Sequence, residues 1–290
     1  HQAGAAPERP EDHRGDARGE REPSRHRRGP SFIEANRRGA AARRERHHEP
    51  GRVAAFERAG IALIRLAFAI LTAGLATAVF APIGILAWPF RRDGEVGFRV
   101  ARLWARAILA AAGVRVTTET LSKLPEGPVV FVSNHVSAID IPILFAALPR
   151  SFRIVYKSSL AWVPLMGQFL LAARNIPIDR SRAFSAKRSL ARAARRIHSG
   201  VSVALFPEGT RSGEAPMGAF KRGSFKLAVE AEAPVVPVSL IGLRGVMKPG
   251  RLVPGVVHVR IHEPLAIPEG PDAAESLTTR AEAIIRGEVE

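Results

Sequence analysis

The sequence predicts an α/β fold: a mostly parallel central sheet flanked by helices, preceded by an N-terminal membrane-associated helical hairpin and a disordered tail. Short β-rich runs alternate with helical stretches from about residue 114 onward, and this alternation is typical of a parallel sheet with helical crossovers. Several β-rich runs are apolar on both faces, as expected when helices cover both sides of a sheet. An uncharged stretch ahead of residue 91 predicts the hairpin.

Composition limits the classes of partner. The chain has 290 residues, no cysteine, and 43 Lys and Arg against 27 Asp and Glu, which gives a formal charge of +16. The lack of cysteine excludes disulfides, thiolate nucleophiles and cysteine-ligated zinc sites. A positive charge of this size predicts an anionic partner, and nucleic acid, an anionic membrane surface and a phosphorylated substrate all satisfy it.

Composition also divides the chain into three parts. Residues 1–58 are dense in Arg, Glu, Gly, Pro, Ala and His. They bury too little apolar surface to offset the entropy lost on ordering, so we expect a disordered basic tail. We expect a membrane-anchoring helical segment over 59–113 and an α/β domain that carries the chemistry over 114–290.

The stretch Leu66–Phe90 carries no charge over 25 residues, which is enough to cross a hydrocarbon core about 30 Å thick. Pro82, Gly84 and Pro89 interrupt its second half and predict a helix, a turn and a short second helix that dips into one leaflet and returns. A buried core helix is the alternative, although soluble helices seldom run this long without a charge.

Residues 96–113 predict a basic amphipathic helix. Arg99, Arg102 and Arg106 recur at spacings of three and four, and Leu103 and Ile108 belong to the apolar face. Such a helix suits the headgroup layer of a membrane. It is equally compatible with packing on the sheet, with the arginine face in solvent.

The α/β domain divides into short predicted elements. Strands are predicted over 114–118, 128–133, 152–156, 175–178, 201–206, 234–240 and 256–261. Helices are predicted near 138–147, 164–173, 184–198, 218–231 and 274–287. Since ligands bind at the carboxyl ends of the strands in open sheets of this kind, polar residues directly after a strand are the candidate site residues.

The first polar cluster, Asn134 to Asp140, follows the strand predicted over 128–133. On one continuous helix, His135 and Asp140 would point about 140° apart, so they can meet only if His135 lies in the turn before the helix. Asp140 could then bond one imidazole nitrogen and leave the other free to accept a proton from a hydroxyl. We expect Ser137 to cap the helix. Because the chain has no G-x-S-x-G motif, we expect the nucleophile to arrive with the substrate.

The second cluster follows the strand predicted over 201–206. Gly209 allows close approach of the backbone to a ligand, Thr210 offers a hydroxyl, and Arg211 offers a forked guanidinium, so together they could hold a phosphate. Glu208 is out of place beside an anion and is better suited to orienting the arginine or His135. Two further basic residues follow short strands and could add positive charge: Lys157 and Arg180.

Taken together, these residues resemble the bacterial lysophosphatidic acid acyltransferase family, the glycerolipid acyltransferases that make phosphatidic acid. Five motifs in order carry the resemblance, which covers roughly residues 100–265. They are Asn134, His135 and Asp140; Lys157, Leu160, Pro164 and Gly167; Ile178, Asp179 and Arg180; Phe206 through Ser212; and Val236, Pro237 and Val238.

The resemblance implies a mechanism and a set of partners. His135, oriented by Asp140, would deprotonate the free glycerol hydroxyl of lysophosphatidic acid, which attacks an acyl thioester of coenzyme A or acyl carrier protein without a metal or other cofactor. The residues implied in holding the glycerol phosphate are Glu208, Gly209, Thr210 and Arg211, with Lys157 and Arg180 reinforcing that site. Since the lipids reside in the bilayer, the resemblance also implies binding to an anionic membrane surface, at the cytoplasmic face of a bacterial inner membrane.

Two rival interpretations remain open. Another acceptor of the same superfamily, such as glycerol-3-phosphate, a lyso-ornithine lipid or another lysophospholipid, would use the same pair of residues. A basic nucleic-acid-binding protein would satisfy the charge. However, the sequence has no helix-turn-helix, RNA-recognition or zinc-finger pattern and only 6% aromatic residues, so we expect no nucleic-acid partner.

Overall fold

The computed structural model describes residues 50–90, 93–179, 183–248 and 251–290. Contacts divide the chain into two units, His1–Val53 and Ala54–Glu290, and nearly all described elements belong to the second. The disordered-tail prediction for residues 1–49 lies outside the described residues, and so do Arg180 and the basic pair at 91–92. The first described helix begins at Pro50, so helix extends into the last part of the predicted tail.

Two helices precede the sheet, α1 (Pro50–Ala87) and α2 (Glu95–Ala112). They pack side by side: the indole Nε1 of Trp104 on α2 donates a hydrogen bond to Oγ1 of Thr77 on α1 at 3.0 Å. The hairpin predicted within Leu66–Phe90 was wrong, because α1 continues through Pro82 to Ala87 as one helix. The second helix of the pair is α2, which was predicted separately over 96–113. A proline removes only one backbone hydrogen bond, and the neighbouring turns keep theirs.

Gly84 has a packing role and does not break the helix. A Cβ atom at this position would lie 2.6 Å from the ring of Phe169, so the glycine allows α1 to approach the α/β domain closely. The window Leu66–Ala87 has a mean hydropathy of 2.1, and only 11% of it is buried. That exposure does not fit the alternative of a buried core helix.

One face of helix α2 packs in the hydrophobic core against the sheet. Its buried stripe includes Ala101, Ala105 and Ile108, while Leu103 is 52% exposed. Leu103 and Ile108, which were predicted to share one apolar face, are therefore separated by the packing, since Ile108 is in the buried stripe and Leu103 is not. Arg99 and Arg106 are exposed, as the sheet-packed alternative requires, whereas Arg102 is half-buried and donates to the carbonyl of Ala146 at 3.4 Å.

The described residues of the domain form nine strands. They are β1 (Val114–Thr120), β2 (Val130–Ser133), β3 (Arg153–Lys157), β4 (Ile176–Ile178), β5 (Val203–Leu205), β6 (Val235–Ile241), β7 (Met247–Lys248), β8 (Arg251–Leu252) and β9 (Gly255–Ile261). Seven form one sheet in the order β1-β9-β6-β2-β5-β3-β4, while β7 and β8 pair separately. All pairings in the large sheet are parallel except β6 with β9. The predicted mostly parallel sheet is confirmed.

Helices cover both faces of this sheet. Those of the domain are α3 (Asp140–Ala147), α4 (Met166–Ala172), α5 (Ala183–His198), α6 (Arg222–Glu230), α7 (Leu243–Val246) and α8 (Ala273–Val289), with a 3-10 turn at Ser158–Trp162. Phe131 of β2 packs in one core cluster with residues of α2 and α3. Its neighbours Val130 and Val132 pack in a second cluster with residues of α5, α6 and α8. The alternation along one strand therefore builds a core on each side.

Strands β6, β2, β5, β3 and β4 are consecutive in the sheet and run parallel. Their carboxyl ends consequently lie along one edge. Both predicted polar clusters leave the sheet at this edge, since one follows β2 and the other follows β5.

Candidate active site

The two polar clusters meet because β2 and β5 are neighbours. Val130 pairs with Val203 and Val132 with Leu205, so partners on the two strands are 73 positions apart. His135 and Glu208 have the same separation and lie just beyond the paired residues. The backbone N–H of His135 donates to Oε1 of Glu208 at 2.6 Å. The register of the sheet thus places the two loops in contact.

His135 and Asp140 form a hydrogen-bonded pair. The ring Nδ1 of His135 lies 2.8 Å from Oδ2 of Asp140, and 13% of the histidine side chain is exposed while the aspartate is fully buried. Since a carboxylate can only accept, Nδ1 carries the hydrogen and Nε2 holds the free lone pair. Nε2 has no hydrogen-bond partner among the described residues, which leaves it available to a substrate.

Asp140 also shapes the loop that carries the histidine. Its Oδ2 accepts the backbone N–H groups of Val136 at 2.7 Å and Ser137 at 2.8 Å. Its Oδ1 accepts the hydroxyl of Ser137 at 3.1 Å. Ser137 is not at the N-cap position of α3, which is Ile139. Its hydroxyl supports the carboxylate and also accepts the backbone N–H of Ile139 at 3.3 Å, so the capping prediction holds only in this looser form.

Phe206 fixes the plane of the histidine ring. The two rings stack with centroids 3.8 Å apart and planes inclined by 12°. Stacking and the bond to Asp140 together restrain the imidazole in position and rotation. A ring restrained in this way presents Nε2 in one direction without losing further entropy when a substrate binds.

Both carboxylate oxygens of Glu208 accept backbone N–H groups, and the side chain is buried. It is 4% exposed, and its second oxygen, Oε2, accepts the N–H of Gly218 at 2.9 Å. Burial raises the pKa of Glu208, and the two backbone N–H groups partly oppose this rise. Both oxygens are thus occupied and the side chain is enclosed, which is the geometry of a residue that positions a loop. The contact with a glycerol phosphate that the resemblance implies stays a prediction.

Ser212 and Asn134, for which the sequence predicted no role, complete the hydrogen-bonded support of the loop that carries His135. Ser212 donates its backbone N–H to the carbonyl of His135 at 2.8 Å, so the 206–213 loop holds both backbone groups of the histidine. Asn134 donates Nδ2 to the carbonyl of Leu240 at 3.1 Å and accepts the Leu240 N–H at 2.9 Å. Both residues belong to motifs that carry the family resemblance, and this membership was the signal in the sequence that could have found them. Residue spacing alone does not reveal such backbone contacts.

The remaining predicted residues differ in how they are placed. Gly209 adopts a φ of +74°, which favours glycine, and Thr210 and Arg211 follow it on the exposed surface. Lys157 is the exposed last residue of β3, one strand beyond β5 along the same edge. Neither Lys157 nor Arg211 bonds to another side chain in the described part of the chain. Arg180 lies outside it.

Comparison with known proteins identifies the family. Residues 114–241 match the family model described as Acyltransferase. A 1-acyl-sn-glycerol-3-phosphate acyltransferase of Pseudomonas aeruginosa is 35% identical over 191 residues, which cover 63% of this chain and 74% of that protein. The chain belongs to this acyltransferase family. The matched region contains the loops after β2 and β5, so the hydrogen-bonded pair His135 and Asp140, the dyad, lies within the domain that the family shares.

Other similarities agree with this acyltransferase assignment. The chloroplastic 1-acyl-sn-glycerol-3-phosphate acyltransferase of Arabidopsis thaliana is 34% identical over 189 residues, 63% of this chain. The match spans only 52% to 62% of the length of three plant and algal relatives. The crystal structure of the 1-acyl-sn-glycerophosphate acyltransferase PlsC from Thermotoga maritima superposes with a TM-score of 0.68 at 23% identity, covering 79% of this chain and 95% of that one. That likeness establishes the fold.

The acyltransferase domain also encloses an apolar cavity of about 130 Å³. It lies between the α1–α2 pair, α3 and the segment after β3. Its lining includes Phe80, Trp104, Ile141, Tyr156 and Phe169. Ile141 directly follows Asp140, and Tyr156 directly precedes Lys157, so the cavity begins beside the site.

Proposed function

We propose that this protein transfers a fatty acyl group from acyl-CoA or acyl carrier protein to the sn-2 hydroxyl of 1-acyl-glycerol-3-phosphate, giving phosphatidic acid. The observation that carries the proposal is the hydrogen bond from Nδ1 of His135 to Oδ2 of Asp140 at 2.8 Å, with Nε2 left unpaired. A neutral imidazole held in one tautomer by a buried carboxylate is suited to accept a proton from an alcohol.

The reaction needs no covalent enzyme intermediate. Nε2 of His135 accepts the proton of the acceptor hydroxyl as the oxygen attacks the thioester carbonyl. The C–S bond then breaks, and the leaving thiolate takes the proton back from the imidazolium. The chain has no cysteine, and the hydroxyl nearest the dyad, that of Ser137, is bonded to Asp140. Both facts favour direct transfer between the two substrates.

The acceptor's phosphate is proposed to bind at the turn after Glu208. Thr210 and Arg211 are exposed there, and Arg211 offers a fork of donors that matches a phosphate. Lys157 on the same edge of the sheet adds charge, and we propose the same for Arg180 from the family resemblance. Glu208 contributes indirectly, since it holds the loop that presents Arg211.

The lipid portions are proposed to enter from a bilayer. The outer face of α1 carries exposed apolar residues at helical spacings, among them Phe68, Leu71, Leu75 and Val79, as in a helix that buries one face in lipid. The apolar cavity beside Ile141 is proposed to take part of an acyl chain. A protein docked in this way would work at the cytoplasmic face of a bacterial inner membrane, attracted by anionic headgroups.

An acyl-transfer assay with purified full-length protein tests the proposal. Acyl-CoA is offered with 1-acyl-glycerol-3-phosphate and, in parallel, with glycerol-3-phosphate and other lysophospholipids. His135→Ala keeps the backbone groups that Glu208 and Ser212 hold, so the variant should fold, and its turnover should fall by at least about a hundredfold. His198→Ala, at an exposed histidine, is the matched control. Equal turnover by the His135→Ala variant would refute the assigned base, and a preference for another acceptor would refute the assigned substrate.

A further inference from the structure

A second exposed apolar surface lies after β3. All six residues from Leu160 to Leu165 are apolar, and no charged residue occurs between Lys157 and Arg174. In this stretch Trp162 is 88% exposed, Leu165 43%, and Leu160 and Val163 38% each. Single exposed apolar residues are ordinary on protein surfaces, but a contiguous group marks a binding surface. We call residues 158–165 the tryptophan loop.

The loop is held rigidly in its exposed conformation. Leu165 adopts a φ of +62°, which is strained for a residue with a branched side chain, and Met166 closes a tight turn onto the carbonyl of Pro164 at 2.7 Å. Gly167 lies under the loop so closely that a Cβ atom there would sit 2.0 Å from the carbonyl oxygen of Ala161. Strain of this kind persists where the surrounding structure enforces it and is concentrated at functional sites.

The tryptophan loop lies close to the C-terminal part of α1. Gly84 of α1 touches the ring of Phe169, just after the loop. Leu160 of the loop lines the same cavity as Phe80 of α1. The loop leaves β3 at the edge of the sheet where the loops after β2 and β5 carry His135, Asp140 and Glu208. Ile83 and Leu86, on either side of Gly84, are 49% and 71% exposed, so exposed apolar residues of α1 border the contact with this segment.

The side chains of the tryptophan loop favour a lipid surface over a folded protein as its binding partner. A tryptophan flanked by aliphatic residues, with Lys157 at the start of the uncharged stretch, has the arrangement found where a protein meets the boundary between headgroups and acyl chains. A folded protein partner would need a larger complementary area than one short loop presents. The exposed apolar residues of α1 beside it give a bilayer that area.

We infer that the tryptophan loop is a second membrane-inserting element, which acts together with α1 to seat the active-site edge on the bilayer. This inference goes beyond the proposed function and rests on it only for the bilayer location of the substrate. Trp162 would lie in the interface, so that the cavity lined by Leu160 opens towards the acyl chains.

Fluorescence quenching tests the insertion directly, without reference to catalysis. The chain has three tryptophans, so Trp88→Phe with Trp104→Phe leaves Trp162 as the only indole in the full-length protein. Vesicles of phosphatidylcholine with phosphatidylglycerol are added, with or without bromine on the acyl chains. We expect a blue-shifted emission that brominated vesicles quench strongly. Emission that is unshifted and unquenched while the protein co-sediments with the vesicles would overturn the inference.

Matched charge substitutions test its consequence for substrate access. Val163→Glu is compared with Val256→Glu on β9, since these two valines are 38% and 39% exposed. With substrate presented in vesicles, Val163→Glu should lower turnover by about tenfold, the order expected when one buried apolar contact is lost. With a short-chain, monomeric lysophosphatidic acid, turnover should be unchanged.

The outcomes separate the inference from the proposed function. Equal effects of the two glutamate substitutions would overturn the insertion, and so would a change from dimer to monomer caused by Val163→Glu alone, because the loop would then be a self-association surface. No activity of the unaltered protein on either form of substrate would instead refute the proposed function, and the quenching result would still stand.

Discussion

Glu208 accepts the backbone N–H of His135 at 2.6 Å and so joins the loop after β5 to the loop after β2. The same carboxylate accepts the N–H of Gly218. One buried side chain therefore holds the backbone of the proposed base and the segment that leads into α6. This contact explains why an acidic residue stands beside a proposed phosphate site.

Glu208→Gln should weaken both the fold and the reaction. The amide nitrogen would face one backbone N–H and leave it unpaired, and a buried unsatisfied donor costs about 1–3 kcal/mol. We expect the free energy of unfolding to fall by about that amount in urea titrations and turnover to fall with it. Glu214→Gln, at an exposed acid of the same loop, is the control and should change neither. A fully stable and active Glu208→Gln protein would contradict the positioning role.

Asp140→Asn should lower turnover by at least about a hundredfold. The amide cannot hold the imidazole in the productive tautomer as the carboxylate does, and it accepts the backbone N–H groups of Val136 and Ser137 less well. Steady-state rates together with thermal unfolding separate the two effects. Ser137→Ala removes the hydroxyl bonds to Oδ1 of Asp140 at 3.1 Å and from the N–H of Ile139 at 3.3 Å but leaves the carboxylate on the imidazole. It should cause a much smaller loss of turnover, so equal losses would argue against the tautomer role.

Arg211→Ala should raise the KM for the lysophospholipid by about tenfold, as expected when a charged hydrogen bond to phosphate is lost. The KM for the thioester should stay the same. Arg222→Ala, at an arginine paired with Glu275 away from the dyad, is the control. An effect confined to the thioester would mean that Arg211 contacts the donor.

Gly167→Ala should destabilise the protein by about 1–3 kcal/mol, the usual result of overpacking. The new methyl group would meet the backbone carbonyl of Ala161, which cannot move without shifting the tryptophan loop. Gly223→Ala in α6 meets nothing within 4 Å and should be neutral or stabilise by up to about 1 kcal/mol. Urea unfolding of the two variants measures the contrast, and equal stability would show that the loop is not packed this tightly.

The protein should lose stability as the pH falls below 6.5, in part through His262. Burial lowers the pKa of His262 below its ordinary value of 6.5, and its Nε2 lies 2.8 Å from Oγ of Ser239. The folded protein therefore binds this proton less readily than the unfolded chain, so the stabilising contribution is present above pH 6.5 and disappears on acidification. Thermal unfolding across this range should show a smaller pH dependence for His262→Gln than for His198→Gln, whose histidine is exposed.

The local pattern of apolar and turn residues was sufficient to predict the strands of the sheet. Each of the seven predicted strands overlaps a strand of the large sheet, because apolar runs bounded by turn residues report the burial of both faces. The predicted turn at Pro82 failed, since close packing of Gly84 on Phe169 is a tertiary contact. The different exposure of Leu103 and Ile108 was missed for a similar reason: which stripe of an apolar helix is covered depends on the neighbour against which it packs.

By itself, the sequence determined the chemistry at the strand ends: an imidazole and a carboxylate five positions apart, and a Gly-Thr-Arg turn after another apolar run. Only the tertiary structure decided that these segments meet, because the strand order β6-β2-β5 arises from long-range pairing. It also decided that Glu208 braces the backbone of His135, and that Trp162 is left exposed. Backbone hydrogen bonds and exposure depend on which surfaces are brought together, and residue spacing along the chain does not carry that information.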